Sequence, residues 1–144
     1  MLKVVGGRHR GRSIATPEGD TTRPTSSRAR ESLFNILAHA NWRADGTSPL
    51  IDARVLDAFA GSGALGIEAL SRGAMHATFL DPPYRSEQAV PALTALAHTG
   101  WLKSGAIATV ELASTEDMLP PPGFTTIDER RYGLAKILIL RRTP

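Results

Sequence analysis

The sequence predicts an α/β fold, and three observations carry that prediction. A short apolar segment, residues 54–59, runs into a glycine-rich turn and then into a helical stretch, residues 64–72, giving the order strand, loop, helix. A second segment, residues 76–80, reads as a strand and ends in Asp81-Pro82-Pro83-Tyr84. Near the end of the chain, residues 125–131 and 135–140 flank Tyr132-Gly133 and read as a closing antiparallel hairpin.

Taken in order, residues 2–5 and 12–15 flank Gly6, Gly7 and Gly11, which predicts a short hairpin whose loop carries Arg8 and Arg10. Residues 16–25 contain Pro17, Gly19 and Pro24 and show no periodicity, so they read as a loop. Ser26 or Ser27 can cap a helix that runs to about Ala40, with Leu33, Phe34, Ile36 and Leu37 on its apolar face. Arg28 and Arg30 fall in its first turns, where positive charge opposes the helix dipole, so they are expected to serve something outside the helix. Residues 41–53 form a polar connection with Gly46 and Pro49, placing a boundary between a basic arm with its helix, residues 1–43, and a sheet domain, residues 44–144. Beyond the Pro82-Pro83 pair, residues 87–98 read as helix, 106–112 as strand and 120–123 as a turn.

Composition narrows the class. With 42% apolar and 22% charged residues, the 144-residue chain is expected to hold one hydrophobic core. It contains no cysteine, and His9, His39, His76 and His98 lack the spacing of metal ligands, so neither disulfides nor a metal site is expected. No apolar run approaches the roughly 18 residues of a membrane span, and the first residues lack a signal peptide's apolar core. A cytoplasmic monomer without membrane association is expected. The net charge of +3 is unevenly placed: residues 1–43 hold eight basic and three acidic side chains, a net of +5. Seven of those eight are arginines, whose planar fork suits phosphate, so a polyanionic partner competes with a merely solvated surface.

Asp57-Ala58-Phe59-Ala60-Gly61-Ser62-Gly63-Ala64-Leu65-Gly66 satisfies G-x-G-x-x-G between a strand and a helix. Taken alone, such a loop serves a dinucleotide, adenosylmethionine, or close strand–helix packing. Asp57 tilts the choice, because a carboxylate at the strand end attracts a cationic ligand and repels a pyrophosphate. The Asp81-Pro82-Pro83-Tyr84 box suits chemistry on an exocyclic amine, whose lone pair is delocalised into its ring. The Asp81 carboxylate and Pro82 carbonyl can accept the amine's protons and localise that pair, the two prolines stiffen the loop, and Tyr84 offers a face for stacking. The competing reading is a proline turn with Tyr84 in the core.

These motifs together resemble a known family, the 16S ribosomal RNA guanine-N2 methyltransferase D group of the class I Rossmann-like methyltransferases. The likeness covers residues 4–12 (Val-Val-Gly-Gly-Arg-His-Arg-Gly-Arg), 23–37 (Arg-Pro-Thr-Ser-Ser-Arg-Ala-Arg-Glu-Ser-Leu-Phe-Asn-Ile-Leu), 55–74, 81–84, 100–102 and the last strands. The first two blocks are the specific ones. The resemblance implies S-adenosyl-L-methionine as cofactor, held by Asp57, Ala58, Phe59, Gly61 and Gly63. It implies a catalytic box at Asp81, Pro82, Pro83 and Tyr84. It also implies small-subunit ribosomal RNA, or an assembly intermediate, gripped by Arg8, Arg10, Arg12, Arg23, Arg28 and Arg30. One departure stands out. Family members pass through further strands and helices between the glycine-loop helix and the box, whereas here Asp81 follows Ala74 by seven positions. The implied fold is therefore a reduced Rossmann-like sheet lacking at least one strand–helix–strand unit of roughly 30 or more residues. The lost unit would have carried the acid that binds the cofactor ribose, together with the adenine contacts.

Overall fold

The structure, a computed structural model, describes residues 1–15, 26–42, 45–60, 62–74, 79–80 and 87–144. Helix and strand mix along the chain, as an α/β fold requires, and the contacts divide it into two units, Met1–Phe79 and Leu80–Pro144. The expected boundary near residue 43 is not where the units part, because the arm packs with the glycine-loop helix in the first of them.

The first unit opens with strands β1 (Leu2–Lys3) and β2 (Ser13–Ile14), paired antiparallel with Leu2 opposite Ile14. Helix α1 (Ser27–His39) begins where expected: Ser26 caps it, its side-chain oxygen accepting from the Ala29 N–H at 3.1 Å. Ala29, Leu33, Phe34 and Leu37 bury one face, and Ile36 beside them is only half-buried. The expected strand at residues 54–59 is regular only over β3 (Asp57–Ala58), and Val55 and Leu56 are half-buried rather than enclosed. Helix α2 (Ala64–Ser71) follows. Gly73, at φ 105°, ends it by letting the Ala74 N–H reach back to the Ala69 carbonyl at 3.0 Å.

Helix α2 is the axis of this unit, and the arm lies along it. Val4 and Ile14 cluster with Ala64 in its first turn. Farther on, the wholly buried Glu68 accepts from the Val5 N–H at 2.9 Å and from Arg72 Nε at 2.9 Å. Arg30, also wholly buried, reaches the same carboxylate from α1 at 3.6 Å and donates to the Lys3 carbonyl. Burial pulls the Arg30 guanidinium below its ordinary pKa, and the Glu68 charge opposes that pull. Arg72 completes the arrangement by lying over the Phe34 ring, 5.5 Å from its centroid, and donating to Asn35 Oδ1 at 3.1 Å.

In the second unit Leu80, the last residue of β4 (Phe79–Leu80), pairs in parallel with Val110 of β5 (Ile107–Ala113). Helix α3 (Ala89–His98) buries Ala89 and Leu93, and it tolerates Pro91 because that residue sits in the first turn. Strand β7 (Ala135–Arg142) pairs antiparallel with β5 on one side and with β6 (Phe124–Tyr132) on the other. The hairpin joining β6 to β7 turns at Gly133, whose φ of 57° a two-residue loop favours. Strand β6 carries exposed charge and an irregularity between Thr126 and Asp128, both of which discourage pairing with a further strand. Among the described residues no helix is long and apolar enough to cross a membrane.

Glu68→Ala leaves the buried Arg30 without its carboxylate and releases the Val5 N–H. It is expected to destabilise the protein by about 3–5 kcal/mol, read as a drop in the urea midpoint.

Candidate functional site

The turn between β3 and α2 is built from the backbone outward. Phe59 takes a left-handed conformation at φ 63°, rare for an aromatic residue, and leaves its ring 38% exposed. Gly63, at φ 72°, occupies the N-cap of α2, donates to the Ala60 carbonyl at 2.7 Å and accepts from Ile67 N–H at 2.9 Å. Asp57 Oδ2 accepts from the Gly66 N–H at 3.1 Å. A side chain at Gly66 would place its first carbon 3.2 Å from that oxygen, a tight contact that the Asp57 carboxylate would have to yield to by a few tenths of an ångström.

The other oxygen, Asp57 Oδ1, is buried with no hydrogen-bond partner among the described residues. Burial raises the Asp57 pKa above the ordinary carboxylate range, and the Gly66 N–H opposes the rise. A half-satisfied carboxylate beside a strained, glycine-rich turn fits a ligand that brings a donor or a positive charge, such as an ammonium or hydroxyl group. Ala58, Phe59 and Gly63 lie on the same turn as Asp57. Gly61 lies outside the described residues, as do Asp81, Pro82, Pro83 and Tyr84.

The arm's arginines divide. Arg8, Arg10 and Arg12 are exposed around the β1–β2 loop, and Arg28 is exposed at the start of α1. Arg30, expected among them, is not at the surface: its guanidinium is held by Glu68 and the Lys3 carbonyl. What Arg30 serves outside its own helix is a buried acid. Arg23 lies outside the described residues. No group of acidic and histidine side chains able to hold a metal occurs among the described residues.

The sequence reading missed Glu68, Ser71 and Arg72. The i, i+4 spacing of Glu68 and Arg72 was visible, but such pairs usually stand on solvated faces. Only the burial of Glu68 shows that this one is internal.

Because the Asp57 pKa is raised on folding, its ionisation costs stability above that raised value, and the cost disappears as pH falls toward the ordinary carboxylate range. Asp57→Asn keeps an acceptor for Gly66 and removes the charge. It is expected to raise stability at neutral pH by about 1 kcal/mol, with the gain shrinking in acid, as urea titrations across pH would measure.

Comparison with known proteins places this geometry in a lineage. The profile of the family described as conserved hypothetical protein 95 matches residues 2–81 and 75–141. The ribosomal RNA small subunit methyltransferase D of Escherichia coli K12 is 46% identical over 81 residues, which is 56% of this chain but only 36% of that protein. The chain thus matches about a third of that relative's length. The protein of the same name from Haemophilus influenzae is 27% identical over 183 aligned residues, covering 92% of this chain and 90% of the relative. The solved structure of yhhF from Escherichia coli superposes with a TM-score of 0.79 at 26% identity, covering 99% of this chain and 98% of that one. With its arm, its glycine turn and its closing hairpin all inside the matched segments, this chain belongs to the conserved hypothetical protein 95 family.

Proposed function

We propose that this protein is by descent a ribosomal RNA methyltransferase, carrying a methyl group from S-adenosyl-L-methionine to the exocyclic N2 amine of a guanine in small-subunit RNA. The observation that carries this reading is the Asp57 carboxylate at the end of β3, with one oxygen held by Gly66 and the other buried without a partner among the described residues. The name shared by the Escherichia coli and Haemophilus influenzae relatives supports the RNA substrate.

When bound, the cofactor supplies an electrophilic methyl group on a sulfonium. Asp57 offers Oδ1 to the cofactor's donor groups, while Ala58, Phe59, Gly61 and Gly63 let the backbone approach closely. Asp81 and the Pro82 carbonyl accept hydrogen bonds from the guanine amine and so localise its lone pair for attack, and the amine gives up one proton as its bond to the methyl group forms. Pro83 stiffens the box, and Tyr84 stacks the target base, a contact of about 1–3 kcal/mol. Arg8, Arg10, Arg12, Arg23 and Arg28 hold RNA phosphates. In this assignment the protein works in the cytoplasm, on the ribosomal subunit or its assembly intermediate.

A second reading, an RNA-binding relic that no longer transfers methyl groups, is favoured by a separate observation. The family match falls into two segments that meet at residues 75–81. The alignment with the Haemophilus influenzae protein runs to 183 positions against a chain of 144, so that relative carries internal residues absent here. We place the missing strand–helix–strand unit at this junction. The expected consequence is a weakened grip on the ribose and adenine of the cofactor.

Calorimetry with S-adenosylmethionine tests the shortened site: no saturable binding at micromolar concentration is expected, and saturation there would show the missing unit to be dispensable. A radiolabelled methyl-transfer assay on unmodified small subunits, run beside a full-length relative, separates the two readings. Slow transfer to the RNA, lost in Asp81→Ala, supports the enzyme. Salt-sensitive RNA binding without transfer supports the relic, and absence of both would defeat the lineage-based function altogether.

A further inference from the structure

The loop of the arm is fastened to the C-terminal end of α2 by one buried side chain. Ser71, only 3% exposed, donates its hydroxyl to the Gly6 carbonyl at 2.7 Å and accepts from the His9 N–H at 3.0 Å. Its backbone carbonyl accepts from the Arg8 N–H at 2.9 Å. Three groups of the loop, on Gly6, Arg8 and His9, are thereby tied to one residue. Gly7 permits the approach: at φ 74°, a side chain there would place its first carbon 2.1 Å from the Ser71 carbonyl oxygen. One turn earlier, Glu68 holds the Val5 N–H. The loop is thus bonded to α2 at both its entrance and its middle, while Arg8 and Arg10 remain exposed.

The other end of the same helix carries Gly63 and Gly66, the groups that shape the Asp57 site. Helix α2 has eight residues and so spans about 12 Å. We infer that Ser71 is a positioning residue: it fixes the Arg8–Arg10 loop on α2, so that the phosphate grip and the glycine turn form one rigid body at a set separation. This rests on the RNA reading proposed above and adds the residue that registers the RNA against the cofactor turn. Arginines on a free loop would lose conformational entropy each time they engaged phosphate, whereas a fastened loop loses it once, on folding.

Ser71→Ala removes the hydrogen bonds to Gly6 and His9 and leaves the backbone bond to Arg8. Gly7→Ala breaks the same fastening from the arm's side. The full chain and both variants are titrated against unmodified small subunits at several salt concentrations, well below their melting temperatures, beside the double variant Arg8→Ala/Arg10→Ala. The expected result is a five- to tenfold weaker affinity in Ser71→Ala and Gly7→Ala. The slope of log affinity against log salt should fall by roughly 1 to 2, as when phosphate contacts are lost. Removing Arg8 and Arg10 in the Ser71→Ala background should then cost less than in the parent chain. A merely structural Ser71 would lower the melting temperature and leave the salt slope unchanged, which would overturn the inference. If Arg8→Ala/Arg10→Ala binds like the parent, the arm does not hold RNA, and the RNA reading falls together with the fastening built on it.

Discussion

The Glu68 carboxylate is wholly enclosed, and the first unit is organised around the need to satisfy it. An unpaired charge in that position would be prohibitively costly, so the chain brings donors to it from three separate places. Val5 supplies a backbone N–H from the arm, Arg30 a guanidinium from α1, and Arg72 another from one turn farther along. None of these elements is long enough to be stable alone: β1 and β2 are two residues each and α2 is eight. Their common acceptor makes them cooperative. An apolar residue at position 68 could fill the volume, but it would leave the Val5 N–H and two arginines to find other partners. The polar choice therefore fixes which segments meet as well as how tightly.

The same requirement decides which arginines are available to a ligand. Arg30 is spent internally and Arg72 is largely covered over Phe34, while Arg8, Arg10, Arg12 and Arg28 face solvent. The arm is therefore part of the folded unit and not a loose basic tail. At the opposite end of α2 the balance reverses. There, among the described residues, Asp57 has a buried oxygen without a partner and Phe59 a left-handed backbone, both costs to stability. Stability is concentrated at Glu68 and given up at Asp57, the distribution expected when one end of a helix anchors and the other binds.

Much of this was legible in the sequence because it rests on local chemistry. Ser26 announced the start of α1, Gly73 the end of α2, and Tyr132-Gly133 the hairpin between β6 and β7. The glycine turn was legible for the same reason, since left-handed backbone at Gly63 favours glycine. What escaped depends on long-range burial. Nothing in the spacing of Arg28 and Arg30 says that one faces water and the other faces an acid 38 positions away. Ser71 carries no local signature, since a serine in the last turn of a helix is ordinary and its partners Gly6 and His9 lie more than sixty residues earlier. Likewise, residues 54–56 read as a buried strand from their apolar character, but burial depends on neighbours that those residues do not specify.

The internal unit proposed to be missing falls where the chain's two units part. The two compact units part between Phe79 and Leu80, and the two segments matched by the family overlap at residues 75–81. Among the described residues, the network around Glu68 and Ser71 draws on residues up to Arg72, and the pairing of β5, β7 and β6 draws on residues from Ile107 onward. A change in chain length at residues 75–81 touches the pairing of Leu80 with Val110 but leaves both of those networks in place. A ligand site is different, because it needs groups from several strands at once and has no internal contacts to compensate for those that are lost. Loss at such a seam removes binding groups well before it removes structure, which is why the proposed weakening falls on the cofactor and not on the arm that Ser71 and Glu68 hold in place.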